Sequence, residues 1–232
     1  MRAPSFVSTC AADVRRRRRF ALLSLAAPLC AALLVLGTWV DAAQDGQDAS
    51  SVMDKAVSDF FATRIPDAVA GFDRVAKMVP NAAPELWQRG IALYYANRFK
   101  DCRTQFESHR TVNPADVENA AWHFLCVARS ESPERARAAL LPVGPDGREP
   151  MREIYRMFQG TMTPEGVLVA GGGDARARFY ASLYVGLYFE AIGEGRARFY
   201  ITQAASDEFA GAGGYMHRVA QVHARVRGWT EK

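Results

Sequence analysis

Four histidines, and two cysteines beyond residue 43, are the side chains of this sequence best suited to chemistry. His109 and His123 fall on different helical segments. His217 and His223 are six apart, which sets them on different faces of one helix. None stands in a His-x-x-x-His or Cys-x-x-Cys spacing, so no metal site is expected. No Gly-x-Ser-x-Gly elbow occurs. Gly171-Gly172-Gly173-Asp174 precedes a helix, a setting that can cradle phosphate, but no Lys-Ser/Thr follows it and no strand precedes it. It reads as a hinge with Asp174 as the helix cap. The acidic residues are scattered and read as solvated helix faces. Cys102 and Cys126 read as buried thiols, with a disulfide permitted in an oxidising compartment. The expectation is a protein without catalytic residues, cofactor or metal, and not an enzyme.

The elements that carry these residues repeat. Ala68, Cys102 and Ala136 are small residues spaced 34 apart; Phe72, Phe106 and Leu140 follow four residues later, and Pro80 and Pro114 close the first two copies. A unit of this length is a helical hairpin that cannot bury its apolar stripe alone, so neighbouring units must stack. The second copy is the clearest: Pro84 to Tyr95 forms its first helix with Gly90 at the crossing, Asn97-Arg98 the turn, and Phe99 to Val112 the second helix. A fourth, degenerate copy aligns Gly186 with Gly90 and runs its second helix from Gly195 to Ala205, with Ala197 at the crossing. Tyr215 to Trp229 carries Met216, Val219, Ala220, Val226 and Trp229 at helical spacing and reads as a capping helix.

This pattern resembles the tetratricopeptide repeat (TPR) family over roughly residues 50–140 and 176–229. Arg89 stands where the family usually has leucine, and His109 where it usually has alanine. The resemblance implies an all-α fold of αα-hairpins stacked into a right-handed superhelix, with repeats at about 49–82, 83–116, 117–140 and 178–205. It also implies a concave groove lined by the first helices. Mapped onto this sequence, the groove takes Phe60 and Phe61, then Trp87, Ile91, Tyr94 and Tyr95, then Trp122, Leu125 and Arg129, then Leu183, Tyr184 and Leu187. Of these, Phe61, Trp87, Tyr94, Tyr95, Trp122, Arg129 and Tyr184 are the expected partner contacts, with at least one of the two adjacent tyrosines facing outward. An aromatic stripe at helical spacing also serves as core, and half of these side chains are expected between helices. Met53, Val57 and Ile91 occupy the places of the family's carboxylate clamp, which disfavours acidic chaperone tails as ligands.

Residues 141–175 interrupt the rhythm. Leu141 to Gly147 is a turn-rich linker, Glu149 to Gln159 a helix with Met151, Ile154, Tyr155 and Phe158 on one face, and Thr163-Pro164 the start of a short helix through Ala170. The chain begins differently again. Arg15 to Arg19 precede 21 uncharged residues, Phe20 to Val40, a basic region and an apolar run with small residues at 42–43. Residues 1–43 read as a targeting segment, either a cleaved signal or a retained transmembrane helix that attaches the chain to a membrane, and 44–232 as the repeat domain. Both place the repeats on the non-cytoplasmic side: periplasm, secretory lumen or organelle lumen. Arg17-Arg18-Arg19-Phe20 fits a loose twin-arginine export pattern, and Cys30 lacks a lipobox. The segment holds six arginines and two aspartates. Taken from the 29 basic and 25 acidic residues of the chain, these leave 23 of each. The basic excess belongs to the leader, so nucleic-acid binding has no electrostatic support.

The expected function is a non-enzymatic scaffold or adaptor that holds a protein or extended peptide in its groove. An assembly factor for a membrane complex and a helical-repeat enzyme or small-ligand binder are the alternatives. The last two elements resemble the end of a bacterial outer-membrane TPR lipoprotein, which implies adaptor function at the class level.

Overall fold

Asn97 and Thr63 lie 34 residues apart and share a left-handed backbone, φ +58° and +64°. Each ends the first helix of a hairpin by letting the next amide reach back five residues: Arg64 N–H to Asp59 O, and Arg98 N–H to Leu93 O, both 2.9 Å. Gly193 (φ +75°) repeats the device, with Glu194 N–H on Phe189 O at 2.8 Å. This 6→1 bond satisfies a helix-end carbonyl and reverses the chain. Asparagine tolerates the conformation; a β-branched threonine rarely adopts it.

The computed structural model describes residues 48–230. The chain divides between Ser51 and Val52, and the fold below is that of the second unit. α1 runs within it from 52 to 61 and pairs with α2 (Ile65–Met78). α3 (Trp87–Tyr95) pairs with α4 (Phe99–His109), and α5 (Val117–Ser130) with the short α6 (Pro133–Ala138). α7 (Met151–Gln159) and α8 (Pro164–Ala170) follow, then the pair α9 (Ala175–Ala191) and α10 (Ala197–Ala204), then α11 (Gly214–Val226). The described residues are all-α, with 3₁₀ turns at Pro80–Glu85 and Asp207–Phe209 and no strand among them. No helix among them is long and apolar enough to cross a membrane. The leader with Phe20–Val40 lies outside the described residues.

Small residues mark the hairpin crossings. Ala68, Cys102 and Ala136 are wholly buried. A Cβ on Gly71 would lie 2.7 Å from that of Ala56, one on Gly90 2.7 Å from the Phe106 ring, and one on Gly186 2.9 Å from Ile201. Arg89, beside Gly90, ties three helices together, pairing with Asp73 at 2.6 Å and donating to Gln105 Oε1 at 2.8 Å. Cys102 and Cys126 are joined as a disulfide across α4 and α5, with Cα atoms 5.9 Å apart.

Some expected boundaries shift. α3 begins at Trp87 rather than Pro84, because Pro80 and Pro84 lack amide donors and bias the residues before them away from helix. α4 stops at His109 and α10 spans only Ala197–Ala204. α6 ends at Ala138, so Leu140 lies beyond the helix and only partly buried. The insertion takes over that work. Met151, Ile154, Met157 and Phe158 of α7 are fully buried, and Phe158 packs on Phe124, Tyr184 and Tyr188 of α5 and α9. Thr163 and Asp174 cap their helices, accepting from Gly166 N–H and Ala177 N–H.

Candidate functional site

The expected groove positions converge, but α11 covers them. Tyr215 packs on Phe61 and Trp87 with ring centroids 4.6 and 4.8 Å apart, the Arg218 guanidinium lies 3.6 Å over the Phe61 ring, and Arg225 donates to Phe61 O. Phe61 and Tyr95 are interior beneath α11, and Tyr94, Trp122 and Tyr184 are interior as well, packed within the hairpins and against α7, as are Phe60, Ile91, Leu125, Leu183 and Leu187. Neither tyrosine faces outward: Tyr94 packs on Phe99 and Trp122, and Tyr95 on Phe60 and His223. Trp87 is half-buried. Arg129 keeps about a third of its side chain exposed, spanning Phe99 and Glu190.

Beneath α11 lies a polar cluster. Tyr95 Oη is 3.0 Å from His223 Nδ1, and His223 Nε2 faces Glu190 Oε2 at 2.9 Å without the alignment of a hydrogen bond. Arg227 also pairs with Glu190. Burial alone would raise the Glu190 carboxyl, but His223 and Arg227 outweigh it and hold it at about 2. Burial lowers His223 despite that carboxylate. A Tyr–His–Glu chain can relay a proton, but His223 is fully buried and the Trp229 ring lies 5.5 Å from its own. No substrate reaches it, and the cluster seats α11 on α3 and α9.

A second cluster ties the insertion to α5. The Arg148 guanidinium pairs with Asp116 at 2.7 Å, Asp146 at 2.6 Å and Glu118 at 2.5 Å, and Tyr184 donates to Glu118 at 2.6 Å. Asp116 caps α5 through Glu118 N–H, and Asp146 accepts from Val117 N–H. Burial, then Asp116, push Glu118 up to about 7 against the pull of Arg148. Burial would raise Asp146, but Arg148 keeps it below the usual carboxylate range. These acids are not the solvated faces expected from their scatter, because Arg148 joins its neighbour Asp146 to Glu118 and Asp116, 30 and 32 residues away. No local pattern signals the cluster.

The histidines are likewise engaged in the interior. His109 Nδ1 meets Pro84 O at 2.8 Å, His217 Nε2 meets Ser206 O at 2.9 Å, and His123 lies 3.4 Å from Glu107. Among the described residues no group of His, Cys, Asp and Glu could hold a metal ion.

One groove among the described residues, of about 710 Å³, lies between α10 and the end of α11. Arg198, Phe199 and Thr202 form one wall and Trp229 the other, over a floor of Gly195, Ala205 and Ala224. Phe199 is 65% exposed. Compared with known proteins, the sequence matches no family model and no curated protein. The chemistry of this groove must then be read from its own atoms. Among the described residues its lining combines two aromatic rings, Phe199 and Trp229, with one guanidinium, Arg198. The expected partner contacts did not include it. Trp229 stood in the capping helix, and Phe199 has no sequence signal beyond sitting opposite the buried face of α10.

Proposed function

We propose that this chain is a non-enzymatic adaptor of the TPR type. Its hairpins form a right-handed superhelix, and it holds a protein or extended peptide on the non-cytoplasmic side of a membrane. The observation that carries the reading is the contrast between its polar clusters and its open surface: every candidate relay is sealed under packed helices, while the accessible groove presents Phe199 and Trp229. An exposed aromatic ring, a half-buried indole and an arginine together resemble the composition of binding hot spots. The 34-residue recurrence of the Thr63 and Asn97 turns supports the repeat reading. The Cys102–Cys126 bridge supports an oxidising compartment.

A random peptide library displayed on phage and panned against the purified full chain tests the adaptor. Recovery of synthetic peptides that bind saturably in the micromolar range is the expected result. A library of good diversity that yields no saturable binder would sink the reading. Thiol alkylation of the tagged protein, denatured at once on lysis so that both buried sulfurs are reachable, tests the compartment: labelling of Cys102 and Cys126 without prior reduction would argue against export.

A further inference from the structure

We propose that the groove between α10 and the end of α11 receives an extended acidic peptide segment with an apolar anchor, a step that rests on the adaptor reading and specifies its partner. Both walls are built features. α10 buries Ala197, Ile201 and Ala204 and turns Phe199 to the open side. Opposite, Gly228 adopts φ +66° and Trp229 N–H bonds back to Ala224 O at 2.8 Å, which turns the chain at the end of α11 and sets the half-buried Trp229 at the groove's edge. A Cβ on Gly195 would meet nothing within 4 Å, so that end of the floor is free space.

The charge of the groove selects its occupant. Arg198 is the one charged side chain lining it and makes no ion pair among the described residues. The Thr202 hydroxyl is engaged within its own helix, donating to the carbonyls of Arg198 and Phe199, which leaves the Arg198 guanidinium as the polar group open to a ligand. A carboxylate seated on the Arg198 fork, beside an aliphatic or aromatic side chain between Phe199 and Trp229, satisfies both chemistries. α10 is eight residues long, roughly 12 Å at helical rise, so about four residues of an extended segment run along it.

Fluorescence polarisation on the full chain tests this with two labelled 12-residue peptides. One is three repeats of Glu-Leu-Asp-Phe; its twin carries lysine at each acidic position. The acidic peptide should bind saturably and at least tenfold more tightly than the twin. Arg198→Glu should invert that order, and Phe199→Ala should weaken the acidic peptide at least fivefold with the circular dichroism unchanged. Equal binding of the two peptides, indifference to Arg198→Glu, or equally tight binding of a 12-mer of thymidylate would overturn the proposal. So would a dimer by sedimentation that Phe199→Ala dissolves, since a second copy would then fill the groove. Library-selected binders that ignore both variants would sink this groove and leave the adaptor standing, whereas an empty selection would remove both.

Discussion

Glu118 carries the most consequential titration among the individual residues. Its folded pKa of about 7 lies above the ordinary carboxyl value of 4.5. The folded state therefore holds more protons in that interval, and the contribution of this group to stability falls as pH rises from about 4.5 to 7. Glu190 acts in the opposite sense. Held at about 2, it contributes stability that is present above 4.5 and is lost as pH falls toward 2. Burial also lowers His223 and His123, which removes stability as pH falls below about 6.5, so denaturant unfolding should show its maximum between about pH 5 and 7. Glu118→Gln, which still accepts from Tyr184, should flatten the neutral limb and leave the acid limb in place; an unchanged neutral limb would show that Glu118 titrates normally. Arg148→Ala strands Asp116, Glu118 and Asp146 together. Because Arg148 is about a fifth exposed, the loss should be nearer 2–3 kcal/mol at pH 8 than the value for a fully buried pair, and smaller at pH 5.

At the scale of elements, the hairpin crossings and the insertion helix make opposite demands. Gly90→Ala would gain about 1 kcal/mol of helix propensity. Its Cβ, however, would sit 2.7 Å from a Phe106 ring that is itself buried and stacked on Trp122. Overpacking a site that cannot yield costs about 1–3 kcal/mol, so a lowered midpoint of chemical denaturation is expected, and a raised one would show that α3 and α4 can part. Phe158→Ala tests the insertion. A wholly buried ring against Phe124, Tyr184 and Tyr188 should cost about 3–5 kcal/mol. A loss below 1 kcal/mol would mean that α7 is an appendage. The 34-residue spacing anticipates the first crossing but not the second role, because nothing in residues 141–175 says which helices their apolar face will meet.

For the whole molecule, the disulfide links α4 to α5 across a sequence separation of 24. Closing a loop of that length stabilises by roughly 3 kcal/mol through the unfolded chain. Thermal unfolding with and without reductant should differ by several degrees, and identical melting would show that Cys102 and Cys126 are free thiols.

Helical class, the second hairpin with its turn at Asn97-Arg98, and the caps at Thr163 and Asp174 were legible in the residues alone, whereas the left-handed turn at Thr63 was not. Each depends on contacts within about one hairpin: a glycine or alanine where helices touch, an asparagine where the backbone turns left-handed, a hydroxyl or carboxylate over a helix start. The fate of the aromatic stripe was not legible. Whether Phe61, Trp87 and Tyr95 meet a partner or a core is decided by α11, which returns from more than 120 residues away to pack on them. Local sequence carries no record of what packs on a helix face from such a distance. Only the tertiary structure closes that groove and leaves Arg198, Phe199 and Trp229 open instead.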